Sequence, residues 1–362
     1  MSVTKEQVMQ QLKTVMDPEL GKDLVTLNMI KNVALCDGQA RITVELTTPA
    51  CPMKDKISFD VKKAVTQLDG ISMCEVEFTA QVKPSPQQQA KASNPLPGVK
   101  HVIAVGAGKG GVGKSTVAVN VAVGLARAGA TVGLLDGDIY GPSLPTMLGL
   151  DDLETHTAGG NMIMPFEVHG IKSMTIGKLV DPDKPLIWRG PMAHGAFNQL
   201  ATQTQWGELD YLVIDMPPGT GDVPLTLAQL LPLTGAVVVC TPQKVAQDDA
   251  RRAVRMFQQL QVPVLGLVEN MSYFIGNDGV EYDIFGKGGA QAMAHQMEIP
   301  YLGCIPINMR LRSNCDTGNP TANFEDDAQL GKELENVVQN LAGQISVQTR
   351  HTEMNTPTIS IS

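Results

Sequence analysis

The chain has 362 residues, 43% of them hydrophobic and 18% charged, with a formal net charge of −9. That length suits two or three domains at ~100–200 residues each. The acidic balance argues against a broad nucleic-acid footprint, which needs clustered positive charge, and no run approaches the ~20 apolar residues of a membrane helix.

The first residues, 1–13, are polar and of mixed charge, without the apolar stretch of a secretory signal. A cytoplasmic protein with no nucleic-acid or membrane partner is therefore expected. A helix is predicted over 4–16, with Thr4 as N-cap and Val8, Leu12, Val15 and Met16 on one face. Asp17-Pro18-Glu19 ends it. Strand-like runs follow at 30–36 and 40–46, with the hairpin signal Asp37-Gly38 between them. A helix over about 53–68 and a strand over 72–82 complete a small α+β unit, residues 1–82. Residues 83–98 contain Pro84, Pro86, Pro95 and Pro97 and the run Gln87-Gln88-Gln89, and read as a flexible linker.

From His101 the pattern changes. Apolar runs at 102–105, 132–135, 211–214, 236–240 and 264–268 are separated by helix-like segments. Parallel strands covered on both faces look like this. The expected fold is a doubly wound, mostly parallel α/β sheet over 99–346. The tail, 347–362, is polar and aperiodic, and is expected to be disordered.

Gly108-Lys109-Gly110-Gly111-Val112-Gly113-Lys114-Ser115-Thr116 satisfies the phosphate-loop pattern in full, between an apolar strand and a helical stretch. Its glycines let backbone N–H groups wrap phosphate oxygens, and the helix N-terminus adds a positive dipole end. Lys114 is expected to contact the β- and γ-phosphates of ATP, and Ser115 to ligate Mg²⁺. Two further strands end in carboxylates: 132–135 runs into Asp136-Gly137-Asp138, and 212–214 into Asp215. Ligands of open α/β sheets sit at these strand ends, and Asp215 suits a metal-holding role there. Simple turn-capping by these aspartates is the bland alternative. Gly219-Thr220-Gly221-Asp222 resembles a mobile loop able to sense the γ-phosphate.

The second lysine of the loop, Lys109, resembles that of the deviant Walker A ATPases. The resemblance implies a homodimer in which Lys109 reaches the partner's nucleotide. It also implies that Asp136 organises metal waters, that Asp138 orients the attacking water, and that Asn270 binds adenine. An asparagine cap is the plain alternative for Asn270. The loop, Asp136 to Ser143, Trp188-Arg189-Gly190-Pro191-Met192, Asp215 to Asp222 and Glu269-Asn270-Met271-Ser272 together resemble the Mrp/ApbC family of ATP-dependent iron–sulfur cluster carriers. Asp17-Pro18-Glu19 and Thr47-Thr48-Pro49-Ala50-Cys51-Pro52 resemble the small Fe–S assembly domain often fused ahead of that ATPase. The family implies ATP hydrolysis and apo Fe–S client proteins.

The chain departs from the family in one respect. Members typically carry a C-x-x-C pair soon after the Asn-Met-Ser segment, and here 272–279 has no cysteine. Two such pairs across a dimer would supply four thiolates. Of the six cysteines, Cys51 is the candidate reactive or cluster-binding thiol, because a helix N-terminus lowers thiol pKa. Cys36, Cys74 and Cys240 read as core thiols, and Cys315 as exposed. Any cluster is expected to be labile. The alternatives are a nucleotide-switched dimeric ATPase that positions a cargo without a cluster, and an ATP-dependent enzyme that activates a small carboxylic acid.

Overall fold

The computed structural model describes residues 3–36, 38–85, 94–158, 162–179, 190–276 and 278–355. It divides into two compact units, Met1–Lys83 and Pro84–Ser362. None of the described helices is long and apolar enough to cross a membrane.

In the first unit, α1 (Lys5–Leu12) opens on a reciprocal capping box between Thr4 and Gln7. It stops four residues short of the predicted end. Asp17 is buried, and its carboxylate accepts the Glu19 and Leu20 N–H groups, both at 2.9 Å, fixing a turn there. Strands β1 (Ile30–Cys36) and β2 (Gln39–Leu46) form an antiparallel pair, with Gly38 at φ +77° in the turn; Asp37 lies outside the described residues. Helix α2 (Lys54–Val65) then crosses to β3 (Met73–Ala80), which runs parallel to β2. Leu12, Ile42, Val44, Val61 and Val65 form the core of this unit.

The second unit alternates strands and helices. Its strands are β4 (Val99–Ala107), β5 (Val132–Asp136), the short β6 (Thr157–Ala158), β7 (Met162–Ile163), β8 (Phe166–Val168) and β9 (Ile171–Met174), then β10 (Leu209–Asp215), β11 (Gly235–Cys240), β12 (Val264–Ile275), β13 (Glu281–Tyr282) and β14 (Tyr301–Ile307). Its helices are α3 (Lys114–Arg127), α4 (Leu144–Met147), α5 (Gly190–Gln203), α6 (Asp222–Leu230), α7 (Lys244–Gln259), α8 (Gly289–Met297), α9 (Met309–Asp316) and α10 (Ala328–Asn355). The main sheet has the order β13-β12-β11-β4-β10-β5-β9-β8, with β14 also paired to β12. Only β8 and β13 run antiparallel in it. Every residue of β5 and β11 is buried, which is why their sequences are apolar throughout up to the strand-end Asp136 of β5. Helices α5 to α8 share one core with the sheet. On the other face α3 lies so close to α10 that a Cβ at Gly124 would meet Val338 at 2.5 Å.

Two boundary expectations need correction. The linker is not free along all of 83–98: Leu96 is buried, and the Ser85 N–H donates to the Lys100 carbonyl at 3.0 Å. Residues 86–93 lie outside the described residues. The tail is not irregular from 347, because α10 continues to Asn355. Thr349 extends the buried stripe of Leu341, Ala342 and Ile345, and its hydroxyl is satisfied by the Ile345 carbonyl at 2.8 Å. That i−4 bond lets a polar residue occupy a buried helix face.

Candidate functional site

The phosphate loop joins the end of β4, the middle strand of the sheet, to the start of α3. Gly113 sits at φ +81° just before the helix, a conformation that favours glycine. At Gly108 a Cβ would lie 2.1 Å from the Asp249 carbonyl, so only glycine lets the loop rest on α7.

Lys114, the first residue of α3, is 6% exposed. Its Nζ lies 2.5 Å from Asp215 Oδ1 and 3.9 Å from Asp138 Oδ2, and it donates to Ser115 Oγ at 3.2 Å. Asp215 and Asp136 end adjacent parallel strands in register. Asp136 Oδ2 accepts the Thr175 hydroxyl at 2.9 Å, and its Oδ1 accepts the Asp138 N–H at 3.1 Å. No sequence motif marks Thr175, which follows β9, the neighbour of β5 in the sheet.

Three carboxyl groups and one ammonium thus meet in a nearly dry pocket. Burial, with Asp215 beside it, pushes the Asp136 carboxyl up to about 8. Burial also raises Asp215, against the opposing pull of Lys114, and raises Asp138 in the same way. Asp215 Oδ2 is buried with no hydrogen-bond partner. An orphaned carboxylate oxygen beside a second desolvated carboxyl and a serine hydroxyl fits a divalent cation. Among the described residues no three His, Cys, Asp or Glu side chains form a complete metal cage. Mg²⁺ does not need one, since it keeps waters and shares phosphate oxygens.

Lys109 is half-buried and makes no hydrogen bond or ion pair among the described residues. Gly110 and Gly111 are exposed, Val112 is buried, and Ser115 and Thr116 are half-buried. Gly219 donates its N–H to the Ala107 carbonyl at 3.0 Å, tying the predicted sensing loop to the end of β4. Asn270 is 3% exposed and faces the loop from β12, its Nδ2 donating to the Val112 carbonyl at 2.8 Å. Glu269 beside it is fully buried. Its Oε1 accepts the Gly288 N–H and the Ser272 hydroxyl, and its Oε2 the Ala290 N–H, so it caps α8. Sequence reading missed this cap; the signal was an acidic residue in an apolar strand. Trp188 and Arg189 lie outside the described residues.

The cysteines do not converge on one site. Cys51 is not at the helix terminus, since α2 has Met53 as its N-cap. Its thiol is not lowered: burial, with Glu19 and Asp17 adding negative charge, pushes it up to about 11. Asp17-Pro18-Glu19 and the segment around Cys51 do meet, but they form an acidic, half-closed setting. Cys36 is exposed, contrary to its reading as a core thiol, whereas Cys74 and Cys240 are buried. Cys315, expected at the surface, is 6% exposed and accepts from the Asn323 amide at 3.7 Å. Its place on the inner face of α9 explains the difference.

A model of the NUBPL iron-transfer P-loop NTPases matches residues 98–342, and a model of iron-sulfur cluster assembly proteins matches residues 5–78. The iron-sulfur cluster carrier protein of Synechocystis sp. is 49% identical over 351 residues, covering 95% of this chain and 99% of its own. The protein of the same name from Deinococcus radiodurans is 48% identical, covering 94% of this chain and 96% of its own. An ADP-bound nucleotide-binding protein from Archaeoglobus fulgidus superposes with a TM-score of 0.58 at 37% identity, covering 66% of this chain and 93% of its own. The cell division ATPase MinD of Pyrococcus furiosus shares the fold, with a TM-score of 0.51 at 22% identity, over 67% of this chain and 98% of its own. With a phosphate loop that closes on its paired strand-end aspartates, and with relatives that match it over nearly its whole length, the chain belongs to the Mrp/ApbC family of iron-transfer P-loop NTPases.

Proposed function

We propose that this protein binds and slowly hydrolyses ATP, and that as a homodimer it carries iron–sulfur clusters and transfers them to apo-proteins. The observation that carries the nucleotide half is the buried Lys114–Asp215 pair with its unpartnered Asp215 Oδ2. Ser115, Asp136 and Asp215 would hold Mg²⁺, which supplies charge neutralisation at the β- and γ-phosphates. The loop from Gly108 to Thr116 supplies N–H donors, and Lys114 exchanges Asp215 for phosphate oxygens. Asp138, 3.9 Å from that ammonium, would orient the attacking water. Lys109, free of partners among the described residues, suits a role across a dimer interface. We assign the base to a cavity of about 210 Å³ at the carboxyl ends of β12 and β14, lined by Phe274, Ile275, Pro306, Met309 and Arg310, because ligands of open α/β sheets sit at the strand ends.

The cluster is cargo, and its ligands are the open half of the reading. The dispersed cysteines favour a second reading, a nucleotide-switched ATPase that positions a partner without a cluster. Anaerobic reconstitution with iron and sulfide, followed by transfer to an apo-acceptor with and without Mg-ATP, separates the two. A visible-absorbing cluster that moves to the acceptor supports the carrier. No cluster in wild type under any anaerobic condition leaves the cluster-free switch.

A further inference from the structure

We infer that Asn270 positions the phosphate loop, beyond any contact it makes with the nucleotide base; this rests on the nucleotide-binding reading above. Three observations carry it. One N–H of its amide is spent on the loop: Nδ2 donates to the Val112 carbonyl at 2.8 Å, with the side chain 3% exposed. Val112 is the residue just before the left-handed turn at Gly113 that starts α3. A buried carbonyl needs a partner, and this one fixes the peptide plane joining Val112 to Gly113. The N–H in that plane belongs to Gly113, so the bond sets the direction of a loop donor.

Space at the joint is also matched. A Cβ at Gly113 would lie 2.1 Å from Asn270 Nδ2 and 3.8 Å from the Met271 side chain. The amide therefore fills the volume that a side chain at 113 would take, and loop and strand interlock.

The strand is distorted at the same place. Met271 has φ +55°, a left-handed conformation costly for a residue with a side chain. The β12–β14 register breaks between Asn270 and Phe274. Glu269, on the other side of Asn270, is clamped by three donors from Ser272, Gly288 and Ala290. A rigid anchor before Asn270 and a strained residue after it aim the amide at the loop. Strain persists where surrounding structure over-determines it, and is common at functional sites.

A base reader and a loop positioner differ in which ligands they affect. Binding of Mg-ATP, Mg-GTP and Mg-tripolyphosphate, which has no base, is measured by calorimetry for wild type, Asn270→Asp and Asn270→Leu. Asp keeps the shape and Leu the approximate volume, and both remove the donor. Each variant is expected to lose about 5- to 10-fold in affinity for tripolyphosphate, the size of one buried hydrogen bond, and at least as much for the two nucleotides. A loss confined to the nucleotides, or wild-type affinity for tripolyphosphate in either variant, overturns the inference. Thermal unfolding of the apo variants reports their folding. If neither folds, Met271→Gly keeps the amide and relieves the strain: a few-fold loss for all three ligands with an unlowered Tm supports the inference, and unchanged affinity overturns it. Lys114→Ala is the control for the parent reading. If it binds Mg-tripolyphosphate as wild type does, the nucleotide site itself is misassigned, whatever Asn270 does.

Discussion

The rim of the phosphate loop and the surroundings of Cys51 handle desolvated chemistry in opposite ways. At the rim, separate segments deliver Lys114, Asp136, Asp138 and Asp215 to one point, and burial leaves Asp215 Oδ2 without a partner. Around Cys51, Asp17 and Glu19 also come close, but burial first, and their negative charge after it, hold the thiol in its protonated form. The first setting suits the cation and polyanion proposed for it. The second keeps a nucleophile quiet. The difference teaches that convergence alone does not make a reactive site: the sign of the neighbouring charge, under burial, decides which form of a group survives.

The largest test breaks the rim. Lys114→Ala removes the one cation among three carboxyl groups, and phosphate release should fall at least ~100-fold, as expected when preorganised charge stabilisation is lost. Wild-type turnover in the purified variant would falsify the assignment.

The quiet thiol can be tested as sharply. Alkylation follows thiolate, and a thiol at about 11 instead of 9.0 carries roughly 100-fold less of it at pH 8. Iodoacetamide labelling of Cys51 in the folded protein, read by mass spectrometry, should be slower than in the urea-unfolded chain by about that factor. It should climb about tenfold per pH unit up to pH ~11. Equal rates in the two states would mean that the thiol is open.

Lys109 sharpens the comparison from the other direction, because it is a rim cation with no partner among the described residues. Lys109→Ala should weaken an ATP-analogue-induced dimer by about tenfold, on the scale of one charge-assisted contact, with the Tm unchanged. Sedimentation in the presence of a non-hydrolysed analogue measures this, and a wild type that stays monomeric at every concentration removes the premise.

If cluster cargo depends on Cys51 despite its raised pKa, iron must displace the proton, since the ligand is the thiolate. Cys51→Ser should then retain about half or less of the wild-type iron and sulfide after reconstitution, an order-of-magnitude expectation for losing one ligand per chain. Cys240→Ser should stay near wild type. Equal retention in Cys51→Ser and wild type takes Cys51 out of the ligand set.

The smallest effect concerns stability. The Asp136 carboxyl stands at about 8 in the fold against an ordinary 3.8, so between those values the folded state holds a proton the unfolded chain has lost. Stability of the apo protein from this group therefore falls as pH rises from about 4 to 8, and stays low above it. Asp136→Asn should raise the apo Tm by a few degrees, most clearly above pH 8, in the range of about 1 kcal/mol typical of relieving a functional site. It should also weaken Mg²⁺-dependent nucleotide binding. An apo Tm unchanged across that pH range would show that the buried carboxyl carries no strain.

How much was legible in the sequence follows from the range of the forces involved. The loop from Gly108 to Thr116, the buried strands and the Thr4 cap are local patterns: each depends on neighbours a few residues away, so composition and spacing determine them. The family follows from the same local motifs. Asn270, Cys51 and Cys315 are different. Their motif positions were readable, but the direction of the Asn270 amide depends on a carbonyl 158 residues earlier in the chain. The Cys51 pKa depends on burial against a turn more than thirty residues away, and Cys315 is closed off by Asn323 on a separate turn. Thr175 had no local signature to find, and the Glu269 cap had only that of an acidic residue in an apolar strand. The sequence by itself determined which phosphate-binding machine this is. Only the tertiary structure decided which polar groups lost water and which partners met them, because desolvation and orientation are properties of the packed neighbourhood and not of the residue.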